Sequence, residues 1–513
     1  MSASQPKRHL SSNKRGSLQG DVRIWPAPGA KACLDTMMEL DFDACYEAIR
    51  SRDARFDGRF FTAVSSTGIY CRPICPARTP GRTKVRFFPL AAAAEEAGYR
   101  PCRRCRPDKS PDSPDWNWRG DLVGRALRLI GDGVADSEGI PGVADRLAVS
   151  ERHLRRLFVA ELGVAPGTVA RTHRTQLARR LIEESTLPLS DVAMASGFSS
   201  IRRFNSTIQE SFGHTPSALR NASTRVRAAG CTLRLPYRSP FAAADLFAYL
   251  GGRATPGVEE VIGTSYRRTV NVNGTTGTIE LNLDDGGEFR LIAHLESVDV
   301  LPTIVRRSRH LFDLDADPRT IQAHLSADPK LRPVVTRAPG LRVPGSFDGF
   351  ELSVRAILGQ QVSVKAATTL AGRLAASFGS PLGQPDGTLT HHFPTPQELT
   401  DAPVESIGLP GKRAATVRTL ASAVAAGDIV LDGTADLEAT KRSLLALPGF
   451  GPWTVSYIAM RALRDPDAFL PSDLGIKHAF TRLKIEPAKN RDERWRPWRS
   501  YATLYLWASL ATT

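Results

Sequence analysis

The sequence predicts a multidomain α+β protein: a small cysteine-bearing α/β module, an all-α domain of two helix-turn-helix units, an antiparallel-sheet α+β domain and an all-α domain built on a helix-hairpin-helix. Three observations carry this expectation. At 513 residues the chain exceeds a single hydrophobic core, since domains average roughly 150 residues. Four cysteines fall in two close pairs between Cys71 and Cys105. The hydrophobic period is helical from about 116 to 220, alternates from 231 to 313, and is helical again after about 345.

The formal net charge is +15 and the pI about 9.8. Such a surplus concentrates phosphates and releases their counterions, so it favours a polyanionic partner; on charge alone an ordinary solvated basic surface would serve as well. No run approaches about 18 apolar residues, and the first 35 residues hold no apolar stretch with a cleavage site. Neither membrane insertion nor export is expected, and the expected location is cytoplasmic. Seven cysteines in a reducing compartment read as thiols or metal ligands. Cys33, Cys45 and Cys231 have no partner at ligand spacing and read as bystanders.

Taken in order, residues 1–36, with "SQPKRHLSSNKRGS", lack periodicity and read as a disordered tail, Met37 or Met38 being an alternative start. The module spans 37–110 and is closed by the linker "SPDSPDW", whose prolines and serines discourage a helix. Its cysteines follow C-x3-C-x26-C-x2-C, which suits one tetrahedral Zn²⁺ held by the thiolates of Cys71, Cys75, Cys102 and Cys105. Spacing alone fits a purely structural zinc knob. However, "FFTAVSSTGIYCRPICPARTP" and "GYRPCRRCRPD" resemble the N-terminal domain of the Ada family of DNA methyl phosphotriester repair proteins. The resemblance implies that Cys71 takes a methyl group from a phosphotriester in one irreversible turnover. The charges agree with that, because a methylated phosphate is uncharged and does not repel an anionic thiolate cluster. Methylation removes one negative charge from the cluster and should tighten DNA binding. Arg72, Arg103 and Arg104 are expected to hold DNA phosphates.

Residues 116–222 read as two helical hairpins. In "VADRLAVSERHLRRLF" Ser150 caps a helix whose apolar stripe is Leu154, Leu157 and Phe158, leaving Arg152, Arg155 and Arg156 off it. In "LSDVAMASGFSSIRRFNSTIQESFGHTPSALR" the turn lies at Gly197, the cap at Ser199 or Ser200, and Phe204, Ile208 and Phe212 leave Arg202 and Arg203 on another face. The "GFSS" turn and "FGHTPSALR" ending resemble the AraC family, which implies two DNA recognition helices, the first being the poorer match.

Between 230 and 340 "TVNVNG", "TIELNLDDGG" and "EFRLIAHLE" alternate between Asn-Gly and Asp-Gly turns, an antiparallel meander. In 345–513 "LPGFGPWTVSYIAM" offers a glycine hairpin, with Gly449 and Gly451, whose backbone N–H groups suit a phosphate. Asp473 follows Trp453 by 20 residues; an Asp before a helix is ordinarily an N-cap. The stretches "LPGFGPWT", "FLPSD" and "RWRPWRSYATLYLW" resemble the helix-hairpin-helix DNA glycosylases of the AlkA type, which release 3-methyladenine. That resemblance implies Asp473 as the catalytic carboxylate and Trp453, Tyr457 and Trp507 as walls of a pocket for a flipped cationic purine, held by cation–π contact. Superfamily members that also cut the strand carry a lysine where this chain has Trp453, so a monofunctional enzyme is expected. Gln361 stands where such enzymes insert a leucine wedge, a less apolar plug.

The combined expectation is an alkylation-damage repair protein. It would hydrolyse the glycosidic bond of N-alkylated purines in double-stranded DNA, accept methyl groups on Cys71, bind promoter sites and activate transcription, with RNA polymerase as a further partner, associated with the nucleoid and with no membrane. The rival is a non-enzymatic zinc-dependent transcription factor whose C-terminal part only binds DNA.

Overall fold

A computed structural model describes residues 42–111, 122–222, 231–284, 286–486 and 491–511. The expected tail, Met37, Met38, Cys33 and most of the first linker lie outside the described residues. The module is a four-stranded sheet in the order β3-β1-β2-β4, from β1 (Phe61–Val64), β2 (Ile69–Cys71), β3 (Val85–Phe88) and β4 (Arg100–Pro101). Strands β2 and β4 run parallel, with Tyr70 opposite Pro101. That register explains how distant cysteine pairs meet, because Cys71 ends β2 while Cys102 follows β4 directly. The short helix Ala91–Glu96 covers the sheet, and its Ala92 and Ala93 pack into the apolar core of the next domain.

That domain is helical throughout its described residues. Helices Gly139–Arg146 and Glu151–Leu162 form the first hairpin, Leu189–Ala195 and Ile201–Phe212 the second, and the long helix Pro166–Glu184 joins them. Ser150 and Ser200 cap the second helix of each, accepting from the N–H groups of His153 and Arg203. These bonds satisfy N–H groups that the first helical turn leaves unpaired.

The third domain is a five-stranded sheet, β5-β9-β8-β7-β6, from β5 (Cys231–Leu235), β6 (Glu259–Ile262), β7 (Ser265–Val272), β8 (Thr275–Leu283) and β9 (Phe289–Leu295). The meander stands as expected, and Asn273 and Gly274 turn β7 into β8 with φ of 52° and 84°. Helix Ala243–Gly251, which the sequence reading did not single out, lies between β5 and β6.

The C-terminal domain departs from an uninterrupted helical reading in one place. Strands β10 (Pro381–Asp386) and β11 (Leu389–His391) form a hairpin after helix Val364–Phe378. It ties the domain to the sheet, since Thr390 N–H donates to the Gly257 carbonyl at 2.8 Å and Thr269 Oγ1 to the His391 carbonyl at 2.8 Å.

The halves are docked. Leu177, Leu181 and Ile182 of the long helix share one apolar core with Leu233 and Leu235 of β5. Arg125 and Arg128 donate to the carbonyls of Thr434 and Gly433 at 2.7 and 2.8 Å, and Arg59 pairs with Asp317. Among the described residues no helix is long and apolar enough to cross a membrane.

Candidate functional site

Two sites emerge. At the first, the Sγ atoms of Cys71, Cys75, Cys102 and Cys105 all lie within 4.8 Å of one another, with Cys75 and Cys102 4.0 Å apart. A tetrahedral ion with Zn–S bonds of about 2.3 Å needs thiolates about 3.8 Å apart, so the quartet fits one Zn²⁺. The thiols compete for protons. Hydrogen bonds with Cys105 and Cys71 pull Cys102 down, while the bond with Cys102 is the largest of those that push Cys71 and Cys105 up, at Cys105 against a lowering by Cys71. At Cys75 the bond with Cys102 raises the thiol, and those with Cys105 and Cys71 outweigh it and bring it to about 7. A divalent cation removes the conflict, since each thiolate then faces positive charge.

Cys71 and Cys75 are half-buried, Cys102 and Cys105 buried. They border an open cleft of about 920 Å³ whose near wall carries Arg78, Arg103 and Arg104 and whose far wall is the end of helix Ile201–Phe212 with His214. Arg104 is exposed. Arg103 is also exposed but gives one Nη to the Phe212 carbonyl at 3.2 Å, bolting the module to the second recognition helix.

Arg72 is a correction. Its guanidinium is turned inward onto Asp57, with Nε at 2.8 Å from Oδ1, and onto the Cys105 carbonyl at 3.0 Å, while its N–H reaches Cys105 Sγ at 3.3 Å. It supports the quartet, and its guanidinium is committed to Asp57 and the Cys105 carbonyl instead of being offered to a phosphate. The cause is the nearby buried carboxylate, which would be costly without a cation.

On the recognition helices Arg152, Arg155, Arg156, Arg202 and Arg203 are all exposed, opposite buried Leu154, Phe158, Phe204 and Ile208.

The second site centres on Asp473, which is half-buried. It is the N-cap of helix Leu474–Arg482, its Oδ1 accepting from Ile476 N–H at 3.0 Å. It also accepts from both indoles: Trp507 Nε1 donates to Oδ1 at 2.9 Å and Trp453 Nε1 to Oδ2 at 3.0 Å. A carboxylate has about four acceptor positions. Three N–H donors fill three and fix its orientation, leaving one on Oδ2 for a reacting partner. The N-cap and active-carboxylate readings are therefore compatible.

Trp453 stacks on Tyr457 with centroids 5.2 Å apart and planes at 9°. Behind Tyr457, Arg461 donates to its hydroxyl at 2.6 Å, and the Tyr249 hydroxyl lies 3.5 Å away. Burial pushes the Tyr457 phenol up, but Arg461, the Tyr249 bond and Arg253 outweigh it and hold it at about 8; burial raises Tyr249 to about 12. Tyr249 was missed from sequence. It comes from helix Ala243–Gly251, and the spacing Tyr249 to Arg253, which puts the guanidinium 3.8 Å from the ring centroid, was the available signal.

Gln361 is exposed and left-handed, with φ of 58°. Its neighbour Gln360 donates to the Gly449 carbonyl at 3.1 Å and to Thr454 Oγ1 at 3.3 Å, so the loop that carries Gln361 is fastened to the glycine hairpin. Gly449 has φ of 88°, and a Cβ there would meet Thr416 Oγ1 at 2.2 Å, so no side chain fits. Gly451 faces open space.

Comparison with known proteins gives four domain families in order. The metal binding domain of Ada matches residues 44–108, a helix-turn-helix domain 143–222, the AlkA N-terminal domain 232–348, and the HhH-GPD superfamily of base excision DNA repair proteins 354–497. The chain is 48% identical over 484 residues to a Mycobacterium tuberculosis protein described as a probable bifunctional transcriptional activator/DNA repair enzyme AlkA, across 92% of this chain and 97% of that one. It is 35% identical over 279 residues to DNA-3-methyladenine glycosylase 2 of Escherichia coli, across 53% of this chain and 95% of that one. Over 198 residues it is 32% identical to the E. coli bifunctional transcriptional activator/DNA repair enzyme Ada, across 38% and 54%. Matched along nearly the full length of such a relative, the chain belongs to the family of bifunctional Ada/AlkA-type transcriptional activators and DNA repair enzymes.

Proposed function

We propose that the chain is a monofunctional DNA glycosylase for N-alkylated purines of the 3-methyladenine type, fused to a methyl phosphotriester acceptor that activates transcription. The domain limits we assign are 37–110, 116–222, 230–340 and 345–513. The observation that carries the reading is the Asp473 carboxylate held by the Trp453 and Trp507 indoles beside the stacked Trp453–Tyr457 rings.

A flipped cationic purine meets aromatic faces in this pocket, while Gln361 fills the gap left in the duplex and hydrogen-bonds the orphan base. Gly449 and Gly451 let the hairpin backbone approach a phosphate. As the glycosidic bond breaks, the purine leaves with the electron pair and becomes neutral, and positive charge develops on the sugar. The open position of Asp473 Oδ2 stabilises that charge and takes the proton of the attacking water. A lyase step would require a lysine nucleophile, and Trp453 occupies the place where strand-cutting relatives carry it.

At the quartet the Cys71 sulfur attacks the methyl carbon of a phosphotriester. The S–C bond forms as the O–C bond breaks, and the phosphodiester leaves as its anion. Zinc, when bound, keeps the Cys71 sulfur in its nucleophilic thiolate form near neutral pH. The exposed arginines Arg104, Arg152, Arg155, Arg156, Arg202 and Arg203 hold the DNA. Promoter activation proceeds by contact with RNA polymerase and keeps the protein nucleoid-associated.

Asp473→Asn tests the hydrolase: single-turnover release of 3-methyladenine from methylated duplex should fall by about two to three orders of magnitude. Release at the wild-type rate would leave a DNA-binding transcription factor only. For the acceptor, mass spectrometry after exposure to a methyl phosphotriester duplex should find one added methyl on the Cys71 peptide. An unmodified thiol would reduce the quartet to a structural metal site.

A further inference from the structure

Where the cysteine module, the helix-turn-helix domain and the sheet domain meet, they enclose a cavity of about 220 Å³ that neither repair reaction uses. Its lining is unusual in charge. Five arginines border it, Arg128, Arg180, Arg306, Arg309 and Arg464, against two carboxylates, Asp108 and Asp315. Both carboxylates are committed, Asp108 to Arg106 and Asp315 to Arg309. Arg128 spends its Nε on the Gly433 carbonyl, and Arg306 is paired with Asp132.

Arg464 differs from these. It is held in a left-handed backbone conformation with φ of 61°, and its Nε and Nη2 are buried without a hydrogen-bond partner among the described residues. Gln176 also lines the cavity, its buried Nε2 beside the Tyr70 hydroxyl. Burial depresses Arg464 and outweighs the nearby carboxylates of Asp315, Asp432 and Asp313; burial together with Arg464 outweighs Asp432 and depresses Arg306 well below the usual guanidinium range, so Arg464 lies close enough to disfavour the charge on Arg306. A buried donor without an acceptor costs about 1–3 kcal/mol, more when charged. Only N–H groups are left over, so the complement is an acceptor-rich anion. The volume is small, which excludes a polymer and suits a compact oxyanion.

We propose that this cavity is a binding site for a small phosphate-class oxyanion, inorganic phosphate or pyrophosphate, seated between Arg464, Arg306 and Gln176. It would neutralise the arginine cluster and brace the regulatory half against the glycosylase half, because Gln176 belongs to one and Arg464 to the other.

The test uses the full, zinc-loaded chain at fixed ionic strength, with inorganic phosphate and pyrophosphate titrated by calorimetry and thermal unfolding against chloride. The expected result is one site per chain and a saturable rise in unfolding temperature, as for any ligand bound by the folded state alone. Arg464→Met should weaken binding by about tenfold or more, as expected for a lost charge-assisted hydrogen bond. Gln176→Leu, a milder change that keeps the proposal testable if the first variant misfolds, should weaken it less. Affinity for a short unmodified duplex should be unchanged in both variants. Absence of saturable binding, or binding undiminished in both variants, would overturn the proposal. Displacement of phosphate by the duplex would do so too, because the anion would then occupy the DNA-binding surface.

Discussion

Three N–H donors converge on one carboxylate at Asp473, and their geometry leaves one acceptor position, on Oδ2, unfilled by them. The neighbouring phenol gives a second residue-level expectation. Tyr457 is held at about 8 in the folded chain against an ordinary 10.0, so its ionised form is favoured by folding. Its contribution to stability is therefore absent well below pH 8, grows as pH rises from about 8 to about 10, and is then constant. Ultraviolet titration should show a tyrosinate step near pH 8 that disappears in Tyr457→Phe and moves upward in Arg461→Met. Asp473, Trp453, Tyr457 and Trp507 could be read from the sequence because short motifs carry them. Tyr249 could not, since it reaches the site from 208 residues away in another domain. Arg72 was misplaced for a related reason: sequence shows a cation beside a cysteine, while the Asp57 that captures it lies 15 residues upstream on a separate turn.

Among the elements, the two recognition helices behave as their patterns required. Ser150 and Ser200 start them, Gly163 and Gly213 end them with φ of 74° and 72°, and the apolar stripes are buried except at Leu157, which is half-buried. The β10–β11 hairpin was illegible because Pro381, Gly383 and Pro385 break any alternation, and its pairing shifts register between Pro381 and Asp386. The Arg103 bond to the last turn of helix Ile201–Phe212 makes the second hairpin answerable to the cysteine module. Replacing Arg202 and Arg203 together by Ala should weaken operator binding and shallow its salt dependence by about two phosphate contacts, while leaving methyl transfer to Cys71 intact. Arg103→Ala should preserve both single activities yet reduce the gain in operator affinity that follows methylation. Electrophoretic binding titrations on methylated and unmethylated protein, across a salt series, read both effects.

For the molecule as a whole, a chain of hydrogen-bonded residues leads from the cysteine quartet to Tyr501 in the C-terminal domain. Arg72 links Cys105 to Asp57, whose carbonyl accepts from Arg238; Arg342 bonds the Arg238 and Asp313 carbonyls, and Asp313 accepts from Tyr501 on the helix that carries Trp507. The order of domains was legible, because each has its own motif and period. Their docking was not, because it depends on side chains such as Arg125, Arg128 and Arg238 meeting backbone carbonyls that no sequence pattern marks.

The apolar core shared by helix Pro166–Glu184 and β5 has a spatial consequence. A rigid joint, unlike a supple tether, fixes the compass heading of the hydrolase relative to whatever promoter the regulatory half occupies. Lesions on the facing side of the double helix would meet the enzyme at high local concentration, and those half a turn away would not. Excision near an occupied operator should therefore rise and fall with a spacing of about 10 base pairs as the damaged base is walked along the duplex.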